Sequence, residues 1–211
     1  MIRQLLPGSA SPLGATVTGG GVNFAVYSSH AEQIDLCLFD ESDQEVERLP
    51  LPVRQDYVFH GFLPDAGPGL RYGYRAHGSW EPVKGLRFNP AKLLIDPYAY
   101  GLDGATDATG PLLDYHIADT GEWSMDETDS AVAIARSVVI ERAFDWEGVT
   151  KPQTPLHRTV VYEAHTKGFT RLMDGVPEPL RGTYAGIANQ TAIDFLVQLG
   201  VTALELLPVQ T

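Results

Sequence analysis

Apolar and polar positions alternate through much of the first hundred residues. In 22–28 (VNFAVYS), Val22, Phe24, Val26 and Ser28 share one face and Asn23, Ala25 and Tyr27 the other, which is the period of a strand. Ile34 to Phe39 is rich in branched and aromatic side chains, and 45–49, 57–63 and 72–76 carry the same character. Turn formers separate these runs: Gly19-Gly20-Gly21, Asp40-Glu41-Ser42-Asp43 and a Gly/Pro turn at 65–69. Helical periodicity is absent. Short strands punctuated by turns predict a β-sandwich over residues 1–100.

The texture changes twice afterwards. Residues 101–155 are polar, Gly-rich and acidic, with one strand expected at 137–140, and they end in KPQTP, whose prolines restrict their neighbours. This stretch reads as a connecting segment. Beyond it, TVVYEA (159–164) is a strand and TALELL (202–207) a second one stopped by Pro208. Between them TAIDFLVQL (191–199) is a helix, with Ala192, Ile193, Leu196, Val197 and Leu199 on one face. Thr191-x-x-Asp194 resembles a capping box, and Gly200 suits the position after the helix. Strand, helix and strand predict one parallel βαβ unit. A (β/α)8 barrel takes about 250 residues, far more than 156–211 provides, and two parallel strands cannot cover both of their faces. Residues 156–211 are therefore expected to open an incomplete (β/α)8 barrel whose remainder lies elsewhere. The chain as a whole is expected to be mostly β.

The 211 residues hold 15 Lys+Arg against 27 Asp+Glu, a net charge of −12. That field repels phosphate backbones and anionic bilayers, so no nucleic acid and no membrane is expected as a partner, whereas a neutral ligand is compatible with it. No apolar run approaches the roughly 20 residues of a membrane span. The opening MIRQLLPGSASPLG has no long apolar leader core, and a cytoplasmic location follows by default. Asn189-Gln190-Thr191 matches a glycosylation sequon that a cytoplasmic chain would not use. Cys37, the one cysteine, rules out an internal disulfide framework and reads as a small buried hydrophobe. The six histidines are scattered, and Asp103, Asp107 and Asp114 lack the EF-hand spacing. No phosphate-cradling glycine loop or G-x-S-x-G elbow occurs, so neither a metal nor another cofactor is expected.

A series of short segments in fixed order is more specific. It includes Pro12-Leu13-Gly14-Ala15, Gly21-Val22-Asn23-Phe24-Ala25-Val26, Tyr72-Gly73-Tyr74-Arg75 and the run 85–98 (GLRFNPAKLLIDPY). It continues with Val161-Tyr162-Glu163-Ala164-His165, Arg181-Gly182-Thr183-Tyr184-Ala185-Gly186 and Glu205-Leu206-Leu207-Pro208-Val209. In these the chain resembles the N-terminal part of bacterial glycogen debranching enzymes and isoamylases, of the α-amylase-type glycoside hydrolase superfamily. The resemblance implies a glycogen- or starch-binding module of immunoglobulin-like β-sandwich fold, followed by the first βαβ unit of a catalytic barrel. It implies a retaining hydrolase of α-1,6 branch linkages in glycogen or limit dextrin, with an Asp nucleophile and a Glu acid/base. In the family those acids follow later barrel strands and have no matching position here. The 211 residues alone are therefore expected to be inactive, with no catalytic residue assigned. The implied partners are a branched α-glucan and the missing remainder of the catalytic domain. Two other classes stay open: a stand-alone glucan-binding module, and a sandwich that only mediates protein contacts.

Candidate contacts follow from sugar chemistry. The apolar face of a glucose ring packs on a flat aromatic while its hydroxyls seek polar neighbours. Trp80, in the turn Gly78-Ser79-Trp80-Glu81-Pro82, is the leading candidate on the sandwich. Tyr72 and Tyr74 read as packing, Trp123 and Trp146 as interdomain anchors, and Arg87-Phe88-Asn89-Pro90 as a tight corner. In the second region His165, Lys167 and Phe169 follow a strand end, where barrel clefts form, and are candidate substrate contacts. Glu163 and Glu205 lie in neighbouring strands, away from the strand ends, and read as buried structural carboxylates held by bases or backbone donors.

Overall fold

The structure is a computed structural model that describes residues 4–209. Residues 1–3, which begin the stretch read above for a leader, and 210–211 lie outside it. The chain divides into two compact units between Ala143 and Phe144.

In the first unit the strands are, in chain order, β1 (Gly14–Thr18), β2 (Gly21–Tyr27), β3 (Gln33–Phe39), β4 (Glu45–Pro50), β5 (Val53–Gln55), β6 (Val58–Pro64) and β7 (Arg71–His77). The short strands β8 (Trp80–Glu81), β9 (Leu86–Arg87), β10 (Gly101–Asp103), β11 (Tyr115–Ile117), β12 (Trp123–Met125) and β13 (Arg136–Val138) complete it. One sheet runs β1-β2-β6-β5 and the other β10-β13-β7-β3-β4, with antiparallel pairing throughout. The alternation read in the sequence decides which side chains meet between them. Val22, Phe24 and Val26 of β2 and Phe59 and Leu63 of β6 pack against Ile34, Leu36 and Leu38 of β3 and Tyr72, Tyr74 and Ala76 of β7. Phe24 and Tyr72 meet edge to face at 5.0 Å. Burying a side chain of this size contributes about 1.5–3 kcal/mol, so this apolar interior is what the sandwich stands on.

The second sheet is buried on its outer face too. Cys37 and Phe39 of β3 point away from the sandwich and pack with Leu93, Ala131 and Ile134. Burial pushes the Cys37 thiol up to about 12, which keeps it protonated and inert. Residues 93–94 run so close to β7 that a Cβ on Gly73 would lie 2.9 Å from Leu93 Cδ1 and 3.1 Å from the Leu94 carbonyl oxygen. The stretch 101–155, read from sequence as a connection, thus supplies β10 and β13 to the sheet, and with 89–100 it covers the outer face. Its strands are only three residues each, too short to raise a period-two signal.

That cover is pinned by Arg75 on β7, whose side chain is 1% exposed. Its Nη2 donates to Glu45 Oε2 at 2.8 Å and to both Asp129 oxygens at 2.8 and 2.9 Å. Its Nη1 donates to the carbonyls of Pro90 and Ala91 at 3.0 and 2.9 Å. Arg136, also buried, lies over the Phe39 ring at 4.2 Å and donates to the Ala131 carbonyl at 2.6 Å.

The second unit contains β14 (Val161–Ala164), α1 (Thr166–Thr170), α2 (Tyr184–Ile187), α3 (Gln190–Gln198) and β15 (Ala203–Leu206). β14 and β15 pair in parallel, with Glu163 opposite Glu205. Both glutamates are solvent-exposed, not buried as expected, because no described residue of this unit covers that face of the pair. The α3 cap also differs from the expected box. Asn189 is the N-cap and accepts from the Thr191 N–H at 3.0 Å, while Asp194 accepts from the Gln190 amide at 2.7 Å. The Asn189 side chain reaches the N–H two residues on, the usual N-cap bond, and the Thr191 hydroxyl instead donates to the Gly175 carbonyl. Gly200 ends the helix in the left-handed region, as expected. Ala192 is buried, whereas Ile193, Phe195, Val197 and Leu199 remain exposed.

Two predictions follow from the packing. Arg75→Met should destabilise the first unit by about 3 kcal/mol or more in urea unfolding, because Glu45 Oε2, Asp129 and the carbonyls of Pro90 and Ala91 lose the hydrogen bonds Arg75 gives them. Arg75→Lys should recover less than half of that, since an ammonium cannot reproduce the guanidinium fork. On the first sheet, His60 is 3% exposed with neither ring nitrogen hydrogen-bonded, and burial pushes its pKa below the usual range. The unfolded chain protonates near pH 6.5, so this part of the stability is whole above about pH 6.5 and is lost as pH falls toward the lower folded pKa. His60→Leu should flatten that acid-side decline; an equal decline in the variant would refute it.

Candidate functional site

Trp80 is presented by a two-strand hairpin. β8 and β9 are joined by a tight turn at Pro82–Lys84 that closes through Gly85 at φ 80°, a left-handed conformation that suits glycine. Trp80 is registered opposite Arg87, so both side chains rise from the same face. They converge on one carboxylate. Asp114 Oδ2 accepts from Trp80 Nε1 at 3.1 Å and from Arg87 Nε at 2.9 Å, and Asp114 Oδ1 pairs with Arg87 Nη2. Burial pushes the Asp114 carboxyl up, but the donors on Arg87 and Trp80 outweigh it and hold the group below the usual carboxylate range.

The hairpin β11–β12 follows Asp114 directly. Tyr115 and Trp123 stack with ring centroids 4.5 Å apart and planes 13° from parallel. The Arg87 guanidinium sits over both rings, 4.9 Å from Tyr115 and 5.9 Å from Trp123. Lys92 fastens this hairpin from below. Its ammonium donates to Asp126 Oδ2 at 3.1 Å and to the carbonyls of Pro111 and Thr128 at 3.0 and 2.8 Å. Asn89, at the corner read from the sequence, donates to the Asp126 carbonyl at 2.8 Å. Hydrogen bonds from Thr128, helped by Lys92, hold the Asp126 carboxyl far below the usual range.

Trp80, Pro82, Val83 and Trp123 line an apolar groove of about 490 Å³, open to solvent. Trp123 is 48% exposed. The sequence put Trp80 forward as a sugar contact and read Trp123 as an anchor, Arg87 as part of a corner and Asp114 as a loop acid; the structure brings the four side chains together. The available signal was the pair of aromatics, Tyr115 and Trp123, inside an otherwise acidic polar stretch. Tyr72 and Tyr74 are buried, as expected of packing residues. Among the described residues no His/Cys/Asp/Glu cluster is placed to hold a metal ion; Asp103 pairs with Arg71, and Asp107 accepts from Thr109.

In the second unit His165 is the N-cap of α1, its Nδ1 accepting from the Gly168 N–H at 3.1 Å. His165 and Lys167 line a shallow cleft of about 460 Å³ with Tyr184, Gly182 and Pro208. Phe169 turns elsewhere and packs with Tyr162 at 5.8 Å and Phe195 at 6.1 Å.

Residues 12–99, which carry Trp80 and Arg87, match the family model of carbohydrate-binding module 48, the isoamylase N-terminal domain. The whole chain is 48% identical over 208 residues to the glycogen debranching enzyme of Klebsiella pneumoniae strain 342. It is 49% identical over 209 residues to that of Pectobacterium atrosepticum. Each match takes in 99% of this chain, which spans only about 30% of the relatives' length. Solved structures share the fold. The catalytic module of a multi-modular glycogen-degrading pneumococcal virulence factor, in complex with an inhibitor, superposes with a TM-score of 0.71 at 21% identity, over 97% of this chain and 28% of its own. A Klebsiella pneumoniae pullulanase complexed with maltotriose gives 0.67 at 22% identity, over 95% of this chain and 18% of its own. No helix among the described residues is long and apolar enough to cross a membrane.

Asp114→Ala should release both Trp80 and Arg87 while leaving the module's sandwich folded. Amide hydrogen exchange in 80–87 and 115–125 should speed up by about tenfold, the equivalent of one lost charge-assisted hydrogen bond, with β2, β3 and β7 unchanged. Unchanged exchange in 115–125 would show that the carboxylate does not hold the hairpin.

Proposed function

We propose that the chain is the N-terminal portion of a cytoplasmic glycogen debranching enzyme that hydrolyses α-1,6 branch linkages of glycogen or limit dextrin. In this reading the module holds branched α-glucan, and the second unit is the first βαβ unit of an incomplete (β/α)8 barrel. The observation that carries glucan binding is Trp80: an indole whose N–H is tied to Asp114 and whose ring lines an open apolar groove. Such a ring offers a sugar face a flat apolar surface in a fixed orientation. The near-half identity to glycogen debranching enzymes along the whole chain supports the same reading, as does the parallel pairing of β14 with β15. His165 and Lys167, at the end of β14, would stand at the rim of the substrate cleft, with Phe169 bracing their loop from inside. The hydrolytic acids belong to the part of the enzyme beyond these residues, so the 211-residue chain binds without cutting.

Co-sedimentation with glycogen tests both halves. The purified chain should be retained by glycogen and release no maltodextrin, and Trp80→Ala should weaken retention by about fivefold or more. No retention at any usable protein concentration would remove the glucan-binding reading. Release of linear maltodextrin by the fragment would overturn the placement of the catalytic acids.

A further inference from the structure

The hairpin β11–β12 lies outside residues 12–99, the part that matches the module. We infer that its Trp123, seated on Tyr115, is the second wall of the glucan site, so that the site takes a run of at least two glucose units of an α-glucan chain. The inference rests on Trp80 as a glucan contact and extends the binding face to residues the family match does not include.

Three observations carry it. Trp123 covers one ring face with Tyr115, yet remains 48% exposed. The packing on Tyr115 and Arg87 leaves about half of the indole open to solvent, and a rigid aromatic with two rotatable bonds is an economical contact surface. Trp123 also lines the same groove as Trp80, and its volume of about 490 Å³ lies within the roughly 300–1,000 Å³ of small-ligand clefts. Finally, a single ion pair fixes both walls. Asp114 accepts from the Trp80 indole, and Arg87, bound to the same carboxylate, lies over Tyr115 and Trp123. Two platforms set by one clamp are pre-organised, which lowers the entropy lost on binding.

Charge selects the class of ligand. Arg87 is neutralised by Asp114 and Lys84 by Glu81, and Asp119 and Glu122 sit in the turn between β11 and β12. Among the described residues both cations beside the groove are paired with carboxylates, so a phosphate or carboxylate ligand is disfavoured. A neutral chain of pyranose rings, with its apolar faces stacked on the two indoles, fits what remains.

Calorimetric titration of the 211-residue chain with maltoheptaose is the test. Trp123→Ala should bind about tenfold more weakly and Trp123→Phe within about twofold of the parent, with unchanged thermal midpoints. In the unaltered chain, saturating maltoheptaose should protect Trp80 and Trp123 from N-bromosuccinimide oxidation, read by peptide mass spectrometry. Trp146, exposed in the second unit, should react as before. If Trp80→Ala loses binding while Trp123→Ala binds like the parent and Trp123 stays unprotected, the second wall is wrong and the Trp80 reading stands. If the parent chain binds no maltoheptaose, both fall.

Discussion

The first unit is arranged around a charge kept out of water. Arg75 stands on a central strand, where an isolated guanidinium would be strongly destabilising. It is tolerated because acceptors arrive from three directions: Glu45 on β4, the carbonyls of Pro90 and Ala91, and Asp129. Each acceptor belongs to a different stretch of chain, so satisfying one side chain fixes all three. Lys92 repeats the device a short distance away, tying Pro111, Asp126 and Thr128 together. The outer layer of the second sheet is thus held by few apolar contacts and many directed ones.

The aromatic groove inherits its order from that layer. The sandwich interior tolerates modest changes in apolar side chains so long as volume is kept. The groove depends instead on direction: Asn89 and Lys92 seat Asp126, Asp126 closes the base of β12, and Asp114 brings Arg87 and the indole of Trp80 to the hairpin. Polar contacts of this kind give geometry more than stability.

Much of this was legible in the sequence, and the remainder was hidden for identifiable reasons. β2, β3, β6 and β7 are seven residues each, long enough for alternation to show. β10 and β13 are three residues each, and their pairing depends on partners far along the chain. Trp80 stood out as an aromatic in a turn. The grouping of Trp123 with it was not visible, because it runs through an Arg87–Asp114 pair that local sequence does not announce. In the second unit the helix and both strands were readable from periodicity. The exposure of Glu163 and Glu205 was not, since burial depends on what covers a strand pair rather than on the strands themselves.

The insertion of β13 beside β7 bears on how the protein can be dissected. The family match ends at residue 99, a natural-looking place to cut. A fragment excised there would keep β7 but lose Ser137 and Val138, which pair with Tyr72 and Arg71. It would also lose Asp129, and with it one of the carboxylates that neutralise Arg75. The severed sheet would offer an open ladder to the next molecule, and such a piece would stick to its own copies. The compact unit that contains the matched residues runs on to Ala143, well past the edge of the match.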